Sequence, residues 1–146
     1  MLTNNEKAAI SYYKTAKKYH VLARDESGEL AYNYEVKSFI FILKSILSIL
    51  GENSNDWPNF NEIYEKRKED IDAINGRYIS DIPKLFERFP TIRESKIKGD
   101  PELKGSFNKL YSYMGSLMAS FEVDYALSVC KSFLEWYFKK RGENKD

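Results

Sequence analysis

The sequence is poor in the residues that most often carry chemistry. It holds one cysteine, Cys130, and one histidine, His20, in 146 residues. A lone cysteine excludes an internal disulfide and any site built from several thiolates, and it suits a reducing compartment. With a lone histidine beside it, the ligands of an ordinary His/Cys metal site are missing. Glycine (7) and proline (4) are sparse, and Gly76, Gly99, Gly105 and Gly115 are isolated, so no glycine-rich phosphate loop is present. No apolar run reaches the ~20 residues that cross a bilayer as a helix. Neither charge sign dominates: the formal net charge is +1, which argues against a broad non-specific hold on nucleic acid but leaves room for local patches. The opening Met-Leu-Thr-Asn-Asn-Glu-Lys has no charged-then-apolar signal pattern, so a cytoplasmic address is expected.

What is present is helical patterning. Val36 to Leu50 is the most apolar stretch, and its polar residues Lys37, Ser38, Lys44, Ser45 and Ser48 fall on one narrow stripe when wound as a helix. A helix so apolar around the rest of its girth must be enclosed by others. Before it, Thr3 to Glu6 has the spacing of a capping box, and Ala9, Tyr12, Ala16, Tyr19 and Ala23 form a thin stripe on a first helix. Asp25 to Gly28 is turn chemistry, so the second helix, from about Glu29 to Leu50, doubles back, and Gly51 is placed to cap it. Asn59 is expected to cap a third helix whose buried side is Phe60, Ile63, Ile71, Ile74 and Tyr78, broken near Arg77 to Ile82. A short helix over Pro83 to Phe89 and a basic connector over Thr91 to Gly99 follow. Asp100-Pro101 starts a further helix, with an interruption expected at Ser120 to Asp124. The last helix runs from about Asp124 to Arg141. These elements predict an all-α fold, a single antiparallel bundle of five to six helices over residues 1–142 with 143–146 as tail.

No catalytic constellation emerges. His20 and Cys130 both sit close to apolar stripes and read as packing residues. Glu62, Glu65 and Glu69 share a face, but no second helix carries the matching Glu-x-x-His of a carboxylate metal site. No metal and no cofactor is expected. Charge placement says more. The first helix carries Lys7, Lys14, Lys17, Lys18 and Arg24 against Glu6, and the connector region carries Lys84, Arg88, Arg93, Lys96, Lys98 and Lys104. A shared side would make a basic patch with tyrosines nearby, the footprint of a contact with RNA or single-stranded DNA.

Two families are similar to parts of this chain. Gly115-Ser116-Leu117-Met118-Ala119-Ser120, Tyr125-Ala126-Leu127 and Phe133-Leu134-Glu135-Trp136 resemble the second half of HEPN-type helical domains of prokaryotic defence and toxin–antitoxin systems. The second helix from Glu35 resembles that family's first hairpin. The family's ribonuclease motif is Arg, four to six residues, then His; here Ala119 or Ser120 stands where that His belongs, so the resemblance implies a non-nucleolytic member. Asn75-Gly76-Arg77 and Tyr113 to Ala119 resemble segments of the helical small subunit of type III CRISPR effector complexes, which contacts RNA or the displaced target through basic residues, and Lys37 falls near one of them. This chain departs by adding an aromatic final helix.

The expected function is thus a non-catalytic accessory or interaction subunit acting beside nucleic acid, with Lys14, Lys18, Lys37, Arg77, Arg93 and Lys96 as phosphate contacts. The alternative is a protein–protein adaptor, such as an antitoxin, immunity protein or inhibitor, docking through Trp57, Phe60 and Trp136. A divergent ribonuclease is the remote third. No membrane is expected as a partner, and self-association stays open.

Overall fold

The structure is a computed structural model that describes residues 1–26, 28–67, 69 and 100–143, the stretch from 100 to 119 by its backbone alone. Four α-helices and no strand occur among the described residues: α1 (Asn4–Arg24), α2 (Gly28–Ile49), α3 (Phe60–Lys66) and α4 (Asp100–Glu143), with a 3-10 turn at Ser54–Asn59 before α3. The expected break near 77–82, the helix over 83–89 and the connector over 91–99 lie outside the described residues.

Local chemistry sets the helix ends. Thr3 and Glu6 form the expected capping box: the Glu6 amide donates to Thr3 Oγ1 at 3.1 Å, and the Thr3 amide donates to Glu6 Oε1 at 2.8 Å. Gly51 ends α2 with φ +76. Its amide donates to the Ser48 carbonyl at 3.1 Å and the Glu52 amide to the Leu47 carbonyl at 3.0 Å. That pair of bonds is a Schellman motif, which needs a residue tolerant of the left-handed region. Asn59 precedes α3, but its side chain donates to Asp56 Oδ1 at 2.8 Å instead of capping the helix. At φ −105 and ψ 14, Arg67 leaves the helical region and closes α3; Ile71, Ile74 and Tyr78 lie outside the described residues.

One expectation is overturned. Ser120 to Asp124 does not interrupt the last two helices, which are a single helix of 44 residues, about 66 Å long at 1.5 Å per residue. The segment holds no glycine or proline, and Val123 joins Ala126, Cys130 and Phe133 in one fully buried stripe, so burial carries the helical period straight through.

The centre is α2. Val36, Ile42, Leu43, Ile46 and Leu47 are fully enclosed, with α1 on one flank and α4 on another. The polar stripe of α2 faces α1. Ser38 Oγ donates to the Ala16 carbonyl at 2.6 Å, and Ser45 Oγ donates to the Ala9 carbonyl at 2.8 Å. Serines seven apart on α2 thus meet alanines seven apart on α1, and small side chains let the two backbones approach closely. The descending register, Ala9 with Ser45 and Ala16 with Ser38, makes α1 and α2 antiparallel. Tyr137 meets Glu6 while Asp124 meets His20, so α4 is also antiparallel to α1 and runs parallel to α2. Antiparallel pairing therefore holds for the hairpin but not for α2 with α4.

Candidate nucleic-acid interface

The α1–α2 hairpin has two sides. Glu6, Tyr13 and His20 lie on the side that α4 covers. On the other side four half-buried rings form a ladder: Tyr34 and Tyr19 with centroids 6.0 Å apart, Tyr19 and Phe41 at 5.7 Å, Phe41 and Tyr12 at 5.8 Å. The ladder follows from spacing. Tyr12 and Tyr19 are seven apart on α1, Tyr34 and Phe41 are seven apart on α2, and antiparallel helices interleave them.

Two lysines, again seven apart, lie over this ladder. Lys37 Nζ stands 5.8 Å from the Tyr19 centroid, and Lys44 Nζ stands 5.1 Å from Phe41 and 5.8 Å from Tyr12. Each is within cation–π range of a ring face. The surface thus pairs positive charge with aromatic area, the two properties that hold single-stranded nucleic acid.

Of the six residues expected to contact phosphate, Lys37 lies on the ladder, while Lys14 and Lys18 are exposed further round α1. Those two and Lys7 border a shallow groove of about 420 Å³ that includes Leu2 and Ile10. Arg77, Arg93 and Lys96 lie outside the described residues. Sequence reasoning passed over Lys44 and did not connect the tyrosines with one another. The shared spacing of Tyr12/Tyr19, Tyr34/Phe41 and Lys37/Lys44 was the available signal.

Of the aromatic residues expected to dock a partner, Trp57 does not lie on the surface. Trp57 is only 9% exposed and belongs to the core, because the 3-10 turn tucks it under α2. Trp136 is half-buried on α4 with Lys140 Nζ 5.8 Å from its ring, and Phe60 opens α3, its side chain outside what is described. Among the described residues the exposed large apolar side chains include Val21, Leu22, Leu30 and Phe121.

His20 is buried where three helices meet. Its Nδ1 lies 2.7 Å from Glu35 Oε1 on α2, and its Nε2 lies 3.4 Å from Asp124 Oδ1 on α4. Cys130 is not its partner. That thiol is fully buried, and burial pushes it up to about 12 against the opposing effect of the Ser45 hydroxyl, so it is held as a thiol, not as a nucleophilic thiolate. Glu62, Glu65 and Glu69 are exposed. Among the described residues no group of three or more His, Cys, Asp or Glu side chains has a metal-holding arrangement, and no helix is long and apolar enough to cross a membrane.

Fold and surface together define a helical protein with a lysine-topped aromatic ladder on one side of its hairpin. No family model, no curated protein and no solved structure matches the chain.

Proposed function

We propose that the protein is a non-catalytic accessory subunit that contacts RNA or single-stranded DNA, acting in prokaryotic defence as the HEPN resemblance implies, on a bundle of five to six helices. The observation that carries the contact is the ladder, with Lys37 and Lys44 over Tyr12, Tyr19 and Phe41. The lysines meet phosphates, and the exposed parts of the rings meet bases. Lys14 and Lys18 extend the charged surface around α1.

The test is fluorescence anisotropy with labelled single-stranded RNA and DNA across a salt series. Binding should weaken as salt rises. The double variant Lys37→Glu/Lys44→Glu should lower affinity at least tenfold and flatten the salt slope by roughly 1.4, two contacts at ~0.7 each on a single strand. Lys14→Glu/Lys18→Glu should add a smaller loss. Absent binding at low ionic strength, or binding indifferent to salt and to Lys37 and Lys44, overturns the reading.

A second reading, a protein–protein adaptor, is favoured by the exposed Val21, Leu22, Leu30 and Phe121, which border the two ends of the α1–α2 turn and the middle of α4. A defined partner that co-elutes from extract free of nucleic acid, and is lost in Leu30→Glu/Phe121→Glu, would favour it.

A further inference from the structure

On the side of α1 away from the ladder, a cavity of about 360 Å³ opens between α1 and α4. Tyr13, Lys17 and Arg24 line it from α1, and Asp124, Ser128 and Lys131 line it from α4. We infer that this pocket binds a phosphate monoester group, with His20 at its floor.

Three observations carry this. The first is charge. Three cations and one carboxylate line the pocket, with Glu135 beside it, and among the described residues the cations are not otherwise engaged by strong partners. Arg24 makes no ion pair among the described residues, Lys17 Nζ lies 5.6 Å from the Tyr13 ring, and Lys131 has only a 3.9 Å pair with Glu135 in which both side chains are largely exposed. Such a surface pair contributes little and exchanges readily.

The second is the histidine. His20 is 4% exposed, and Glu35, 1% exposed, accepts from Nδ1 at 2.7 Å. That bond fixes the ring and turns Nε2 toward the pocket. There, among the described residues, Nε2 meets only Asp124 Oδ1, at 3.4 Å, on a side chain that is 69% exposed. A neutral imidazole that gives its one N–H to Glu35 offers Asp124 a lone pair and no proton; the doubly protonated ring donates to both. Asp124 is thus a loosely held oxyanion at the position a phosphate oxygen would take, on a side chain free to swing out.

The third is size and donor set. The volume lies at the small end of ligand pockets, enough for a phosphate and part of what carries it. Burial raises the Tyr13 hydroxyl above its ordinary value, which keeps it a protonated donor at neutral pH. Lys17, Arg24 and Lys131 supply charge-assisted hydrogen bonds. A doubly charged monoester matches three cations better than a singly charged diester inside a strand.

The site stands apart from the ladder, since neither Lys37 nor Lys44 lines it. Because His20 is the chain's sole histidine, its ring signals in NMR are unambiguous. The experiment titrates the folded protein at constant ionic strength with inorganic phosphate, adenosine monophosphate, adenosine and chloride. Matched oligonucleotides with and without a 5′-phosphate separate a free anion from a strand end as the source. The His20 ring signals should shift saturably with phosphate and the monophosphate, and not with adenosine or chloride. Arg24→Ala/Lys131→Ala, both at exposed positions, should weaken that response about tenfold, roughly the worth of one charge-assisted bond. Asp124→Asn should strengthen it several-fold by removing the competing carboxylate. Lys37→Glu/Lys44→Glu should leave it unchanged, so failure here and failure of the ladder read out separately. Ring signals that do not respond to phosphate, or a response indifferent to both Arg24→Ala/Lys131→Ala and Asp124→Asn, overturn the inference.

Discussion

Glu6 does more than cap a helix. It is 2% exposed, and its carboxylate accepts from three donors: the Thr3 amide at 2.8 Å, the Tyr137 hydroxyl at 2.9 Å and the Arg141 Nε at 2.8 Å, while its own amide donates to Thr3 Oγ1. Burial alone would raise its carboxyl, but the Thr3 amide, the Tyr137 hydroxyl and the Arg141 guanidinium outweigh burial and hold it below its ordinary value of 4.5. A carboxyl whose folded value lies below its unfolded one adds stability that is present above the unfolded value and lost as pH falls through the folded one. Acid unfolding should therefore have a component below pH 4.5 that moves upward in Arg141→Gln. Tyr137→Phe removes a bond to a buried charge and should cost about 1.5–3 kcal/mol at neutral pH, read by urea melts. The box was legible in the sequence from Thr3 and Glu6 alone. The clamp was not, because its other members lie 131 and more residues away and no local pattern links them.

Between elements, the tightest fit is the alanine–serine seam of α1 and α2. The helical stripe on α1 was readable from Ala9, Ala16 and Ala23, all of which are buried. The direction of the polar stripe on α2 was not, since a serine satisfied by a neighbouring helix's carbonyl is as well placed inside as one facing water. Replacing Ala16 by Leu forces a large side chain into this seam and should destabilise by about 1–3 kcal/mol or more. Ser45→Ala should cost about 1 kcal/mol, because the bond to the Ala9 carbonyl is lost inside the core. Thermal or chemical melts check both. Cys130 lies against the same seam through Ser45, so its thiol should stay unreactive toward alkylating agents in the native protein and react at the rate of opening. The continuity of α4 was hidden because Ser120 and Asp124 resemble cap residues, and only the burial of Val123 overrides them.

For the whole molecule, α2 at the centre was legible from its apolar girth, and the helical character of the described residues from periodicity; the parallel course of α2 and α4 required coordinates, because the 50 residues between them could return in either direction. Cutting the chain after Trp136 removes Tyr137 and Arg141 together. The shortened protein should lose cooperative unfolding, as judged by the slope of a urea melt followed by circular dichroism. This arrangement also bears on biosynthesis. Glu6 is synthesised well before Tyr137 and Arg141, the residues that shelter it, so the hairpin has to wait, open at that corner, until the C-terminal part of α4 is made. A chain that stops short of α4 leaves the apolar side of α2 that α4 covers open to water, and exposed apolar surface of that kind is prone to aggregate.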